Sequence, residues 1–157
     1  ITTKDQLIKI EQYKPNNVLE FSNSREKYFN KICKHINTFG GKIIIVDYGY
    51  YERPNYFTLQ SVYNNKKANI LDNIGLQDIT SLVDFKKLIE IAETNKLKIE
   101  NFLTQREFFL RYGIKERFKI LIEKSTKDQK KIIESGMDRI INKDKMGNLF
   151  KILIVSK

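Results

Sequence analysis

A chain of 157 residues has the length of one domain and can bury a single core. At 41% hydrophobic and 31% charged residues its composition is that of an ordinary globular protein, which excludes a disordered or fibrous chain. The formal charge of +10 would draw nucleic acid or anionic surfaces nonspecifically, but the lysines are spread along the whole sequence. They read as solvated helix exteriors, not as one basic face, so a nucleic-acid partner is not expected.

No apolar run approaches the roughly 20 residues of a membrane span, and Ile1 to Glu11 carries too much charge for a secretory signal. A lone cysteine, Cys33, forbids an internal disulfide, and one histidine, His35, leaves nothing to build a Cys/His zinc cluster. A reducing compartment and no metal are therefore expected. The first residue is isoleucine, not methionine, so a processed terminus or a piece of a longer chain is expected.

In chain order, Pro15 to Asn17 form a break, and VLEFS (Val18 to Ser22) is a short apolar run that predicts a strand or strand end. Asn23 with Glu26 makes a capping-box pattern, followed by Tyr28, Ile32, Ile36 and Phe39 at helical spacing, with Gly40 and Gly41 ending the helix. KIIIVDYG (Lys42 to Gly49) has the four-residue apolar run of a strand covered on both faces, as in the middle of a parallel sheet. Helix, glycine turn and buried strand make an α/β unit, and its ligand side lies beyond the strand's carboxyl end, at Asp47 and Tyr48.

Tyr50 to Asn73 has little periodicity and predicts a long excursion over the sheet, with one short helix near Leu59 to Tyr63. In IGLQDITSLVDF, Asp84 is placed to cap a helix reaching about Asn95, with Val83 and Leu88 at staple positions. Nothing local explains Asp78 and Thr80. Leu97 to Gln105 predicts a strand and Thr104 with Gln105 a polar cap after it. Helices are expected over Glu107 to Tyr112, Lys115 to Lys124 and Thr126 to Ile141, the last with Ile132, Ile133, Met137 and Ile140 as its core stripe. Met146 and Gly147 shape a turn into a closing strand, Asn148 to Lys157.

GGKIIIVDYGY, TLQSV, GLQDITSLVDF, LTQREFFLRYGI and MGNLFKILIV occur here in the order in which they occur in the MidA-like family, which the chain resembles from about Val18 onward. That family comprises class I S-adenosylmethionine-dependent methyltransferases, among them a mitochondrial protein-arginine methyltransferase of complex I assembly. The resemblance implies the carboxyl-terminal part of a Rossmann-like α/β fold: KIIIVDYG as the fifth strand, LKIENFLTQ as the sixth, and FKILIV as an antiparallel seventh. Residues 1–157 would form one partial domain, with residues 50–80 an insertion over the substrate side.

The same resemblance implies S-adenosyl-L-methionine as cofactor, direct in-line methyl transfer without a metal, and a protein arginine, possibly on a complex I subunit, as acceptor. An arginine acceptor needs carboxylates that hold the guanidinium through paired hydrogen bonds. The candidates are Asp78, Asp47 and Thr80 as catalytic residues, and Tyr48, Glu52 and Gln105 as substrate-binding residues. Asp78 and Thr80 match the family's D-L-T element. Two histidines common in relatives fall at Asn65 and Leu82 here.

The family's glycine-rich E-x-G-x-G turn and its N-E-hydrophobic-D-A segment are not found in this sequence, so the cofactor-binding residues stay unassigned and an amino-terminal half is expected as a partner. The alternative is a non-catalytic remnant or protein-interaction module; a basic RNA-binding domain, with Tyr48, Tyr50, Tyr51, Tyr56 and Phe57 stacking bases beside Arg53, is weaker than packing of those rings against the sheet. The location implied is cytoplasmic in a bacterium and the mitochondrial matrix in a eukaryote.

Overall fold

The computed structural model describes residues 20–157. Of VLEFS, Val18 and Leu19 lie outside the described residues, and Glu20 to Ser22 have no regular structure. Helix α1 (Asn23–Phe39) follows, capped at its end by Gly40, whose φ of 81° is open to glycine. Its first turn differs from the capping-box expectation. Asn23 is already helical and the N-cap is Ser22, which makes no side-chain cap, so Asn23 and Glu26 stand one position too far along to form the box.

Strand β1 (Lys42–Tyr50) leads into an excursion that holds its own small antiparallel sheet: β2 (Gln60–Tyr63), β3 (Lys66–Ala68) and β4 (Asp78–Thr80), in the order β3-β2-β4. The helix expected near Leu59 to Tyr63 is instead strand β2. Asn64 and Asn65 both adopt positive φ, 50° and 60°, as a two-residue hairpin loop demands, and asparagine tolerates that conformation. Ser61 donates to Gln77 and Gln77 donates back to Asn69 O at 3.0 Å, tying the return segment to the hairpin.

The short strand β5 (Val83–Asp84) leads into α2 (Phe85–Thr94), where Asp84 accepts the Lys87 N–H at 3.0 Å as the cap that the sequence predicts. Val83 and Leu88 are both buried at the staple positions. Strand β6 (Lys98–Thr104), α3 (Gln105–Arg111), α4 (Ile114–Glu123) and α5 (Lys127–Ile141) follow, then a turn kinked at Lys145 (Lys143–Gly147) and β7 (Phe150–Ser156). On α5 the expected stripe holds only in part: Ile133, Met137 and Ile140 are half-buried, whereas Ile132 is exposed.

The main sheet has the order β5-β1-β7-β6. β7 runs antiparallel to both neighbours, in register Ile45↔Leu153 and Phe102↔Leu153, as expected of a closing strand. β1 is parallel to β5 through Gly49 and Tyr50 alone. A Cβ on Gly49 would meet the Val83 carbonyl and lie 2.7 Å from the Phe85 ring, so this close parallel contact needs glycine.

The core lies on one face, where Phe29, Cys33, Phe85, Leu88, Ala92, Leu153 and Val155 pack together with Ile43 and Ile45. The expectation that β1 is covered on both faces is corrected here. Ile44 and Val46 on its other face remain 59% and 54% exposed, because α3 packs on β6 and β7, where Ile152 is buried, and not on β1.

Candidate active site

β1 ends at Tyr50, and beyond it the chain opens into a cleft of about 380 Å³. Its walls are the start of α1 (Phe21, Arg25, Glu26), the residues after β1 (Tyr51, Glu52, Arg53) and the start of α2 (Asp84, Lys86, Lys87, Glu90), with Glu20 at its floor. This is the strand-end position at which open α/β sheets hold ligands.

The cleft's charged groups fall into two sets. Glu20 and Asp84 are committed to structure. One Glu20 oxygen accepts the N–H groups of Thr58 and Leu59 at 2.9 and 3.1 Å, and the other accepts the Thr58 hydroxyl at 2.5 Å. The Thr58 oxygen in turn accepts the Leu82 N–H at 3.1 Å. Asp84 caps α2 and lies 3.5 Å from the Arg53 guanidinium. The neighbouring Tyr50 hydroxyl is pushed above its ordinary value, first by burial and then by the Asp84 charge. Lys87 is drawn to Glu90 at 2.8 Å, which raises its affinity for a proton.

Glu52 is different. It is exposed at the cleft and makes no hydrogen bond or ion pair among the described residues, so its carboxylate is available to a ligand. The Tyr51 ring beside it rests on Phe102, with centroids 5.6 Å apart.

Of the residues proposed from the sequence as catalytic or substrate-binding, Glu52 alone lines this cleft, together with Asp84, Tyr51 and Arg53 that the sequence marked for other reasons. Asp78 and Thr80 lie on β4, paired with Val62 and Gln60 in the small sheet, and Asp78 is exposed. Asp47 accepts the Tyr48 N–H at 2.8 Å, and the Tyr48 ring stands edge-on to Phe150 at 5.5 Å. Gln105 is buried and donates to Ile140 O at 2.9 Å, pinning the end of α5; Thr104 completes a capping box with Glu107. The excursion's rings divide. Tyr50 is buried and Tyr48 half-buried, whereas Tyr51, Tyr56 and Phe57 are exposed, so packing accounts for the first two. His35 lies exposed against Phe39, with centroids 4.7 Å apart, and Cys33 is buried in the core.

Sequence reasoning missed Glu20, Arg25 and Arg53 as cleft residues. Glu20 sits in the VLEFS run, where an acid inside an apolar stretch is itself a signal that a partner must satisfy it.

S-adenosyl-L-methionine would require a backbone cradle at the end of a strand, and the described residues do not provide one. Gly40 and Gly41 precede β1, and the space beside Gly49 is filled by Val83 and Phe85.

Residues 2–103 match the model of a family described as "Putative S-adenosyl-L-methionine-dependent methyltransferase". Relatives include a protein named protein arginine methyltransferase NDUFAF7, mitochondrial, from Xenopus tropicalis, 32% identical over 93% of this chain and 34% of its own length. The homolog from Caenorhabditis elegans is 36% identical over 68% of this chain and 25% of its own length. The chain therefore spans a quarter to a third of the length of these relatives. A crystal structure of a superfamily member from Burkholderia thailandensis, bound to S-adenosyl-homocysteine, superposes with a TM-score of 0.83 at 21% identity, over all of this chain and 42% of that one. A native structure from the same organism gives 0.79 over 87% of this chain and 38% of that one. With its fold matched by these structures and 102 of its residues matched by the family model, the chain belongs to this family of S-adenosyl-L-methionine-dependent methyltransferases.

Proposed function

We propose that the chain forms the methyl-acceptor side of a Rossmann-like protein-arginine methyltransferase, with Glu52 holding the acceptor guanidinium. The observation that carries this reading is the Glu52 carboxylate, without a partner among the described residues, in a cleft at the carboxyl end of β1. A planar guanidinium donates two parallel hydrogen bonds to a carboxylate, which orients one nitrogen for reaction and excludes free rotation. The names of the relatives from Xenopus tropicalis and Caenorhabditis elegans favour a protein arginine as the acceptor.

When bound, S-adenosyl-L-methionine supplies the methyl group, and in this reading it is held by a cofactor-binding segment outside the described cleft. The excursion over residues 50–80 then stands on the substrate side, with Asp78 and Thr80 reaching a bound protein from β4. Asp47, Tyr48 and Gln105 act through the frame, holding the strand end and α5 in place. The mitochondrial relatives favour the matrix of a eukaryotic cell as its location, with a complex I subunit among the acceptors to be tried first. Among the described residues no helix is long and apolar enough to cross a membrane.

The test is titration calorimetry of S-adenosyl-L-methionine into this chain, alone and after co-expression with the part of the Xenopus tropicalis relative that it does not match. Binding and transfer of labelled methyl to arginine peptide only in the second case is the expected result. Association of the two parts without any cofactor binding would favour a protein-interaction module instead.

A further inference from the structure

The first turns of α1 and α2 both line the cleft beyond β1, and each brings a cation to it, Arg25 from α1 and Lys86 from α2. Most charged side chains there answer to one another. Glu20 accepts the N–H groups of Thr58 and Leu59, Arg53 stands beside Asp84, and Lys87, bound to Glu90, also feels the charge of Glu26. Arg25, Lys86 and Glu52 are left: among the described residues none of these three side chains makes a hydrogen bond or an ion pair.

Arg25 is the more informative cation. Its side chain is half-buried, and the Nε is shut off from solvent with no acceptor among the described residues. A guanidinium N–H out of water and without an acceptor destabilises the site that holds it. The edge that presents Nε also presents a terminal nitrogen, so one carboxylate laid along it accepts two parallel hydrogen bonds and removes that cost. The Arg25 charge also reaches the Tyr50 hydroxyl, where it works against the rise set first by burial and then by Asp84. The guanidinium thus lies toward the end of β1, the end after which the chain places Glu52.

We infer that Arg25, supported by Lys86 from the α2 wall, is a second subsite of this cleft and takes the carboxylate of an aspartate or glutamate that neighbours the acceptor arginine in the substrate protein. The inference rests on the arginine-acceptor reading above and narrows it. Glu52 takes the cation to be methylated and Arg25 the anion next to it, so a segment carrying both signs fits where a run of arginines does not. At about 380 Å³ the cleft is of a size that encloses a whole small ligand, which gives room for two side chains. A phosphate fits less well. Its two charges would stand among Glu26, Glu52 and Glu90, whereas a single carboxylate is matched by Arg25 and Lys86.

The probes are two peptides with a central arginine, one flanked by glutamates and one by glutamines, both amidated so that no terminal carboxylate competes. Calorimetry reads their binding to this chain, alone and co-expressed with the unmatched part of the Xenopus tropicalis relative, and kcat/KM reads methyl transfer by the complex. The glutamate peptide is expected to bind roughly tenfold or more tighter, the scale of a charge-assisted bidentate contact. Arg25→Gln should close that gap, Arg25→Lys should restore part of it, and Arg25→Glu should turn the preference toward a lysine-flanked peptide. Lys86→Gln, at an exposed position, should narrow the gap roughly twofold, and Lys119→Gln on the exposed side of α4 should leave it as it is. Equal binding of the two peptides would overturn the subsite. So would an Arg25→Gln variant that weakens both peptides equally, which marks a structural role, or one that weakens S-adenosyl-L-methionine and keeps the gap, which marks a cofactor contact. A glutamate preference in a complex that transfers no methyl would instead sink the arginine-methylation reading and leave the carboxylate subsite standing.

Discussion

Glu20 and Thr58 are joined by two hydrogen bonds, one from the Thr58 N–H at 2.9 Å and one from its hydroxyl at 2.5 Å. Because Thr58 also accepts the Leu82 N–H, this one contact ties the entry to α1, the start of the excursion and its return into a single floor for the cleft. Glu20→Ala leaves a buried hydroxyl and two N–H groups without their acceptor, and an expected loss of about 1–3 kcal/mol follows. Urea unfolding measures it. An unchanged midpoint would show that the three segments are held some other way.

Glu52→Gln is expected to do the opposite. With no partner among the described residues, the side chain can be neutralised with a stability change within about 0.5 kcal/mol. In the completed enzyme the same change should lower methyl transfer to an arginine peptide by on the order of tenfold or more, the loss of one charge-assisted bidentate contact. Full activity in E52Q would remove Glu52 from the site.

Burial pushes the Cys33 thiol up to about 11, so at pH 8 roughly one molecule in a thousand carries the reactive thiolate. A disulfide-exchange reagent at that pH should leave the native protein unlabelled for as long as it stays folded and label it within seconds in guanidinium. Rapid labelling of the native chain would contradict the packing of α1 on α2.

Gly49→Ala places a methyl against the Val83 carbonyl and the Phe85 ring. Both are fixed, the first by the parallel pairing of β1 with β5 and the second by a fully buried position in the core. The expected cost is about 1–3 kcal/mol, typical of overpacking, and it should appear in the unfolding midpoint together with faster amide exchange at Val83 and Asp84.

The Glu107 carboxylate is held below its ordinary value by the Thr104 N–H and then by the Thr104 hydroxyl. A depressed carboxyl stabilises the fold fully above its unfolded value of about 4.3 and loses that contribution as pH falls through the lower folded value. Stability measured across acid pH should therefore fall less steeply in Glu107→Gln than in the parent. Thr104→Ala should cost about 1 kcal/mol near neutrality through loss of the cap.

Much of the fold is legible because its elements are local. The helix after Asp84, the strand from Lys98 and the closing strand each follow from a cap, a period or an apolar run that neighbouring residues settle among themselves. The hairpin at Asn64 and Asn65 is equally local, but its signal is weak: an asparagine pair marks a two-residue loop less sharply than Asn-Gly does.

Of the catalytic and substrate-binding candidates, the sequence placed only Glu52 in the cleft. Asp78 and Thr80 stand out in the sequence because nothing nearby explains them, yet their strand pairs with β2, and the cleft is built by residues such as Glu20, Arg25 and Arg53 from distant segments.

By itself the sequence determined the family, the α/β class and the antiparallel last strand, since ordered motifs and apolar runs survive as local patterns. Only the tertiary structure decided which acids are spoken for and which face of β1 is covered. Both depend on partners far away in the chain: Thr58 for Glu20, Arg53 for Asp84, and helix α3, which packs on β6 and β7 and leaves Ile44 and Val46 exposed. A carboxylate's role is set by the donors that reach it, and no spacing rule within one segment counts donors that arrive from another.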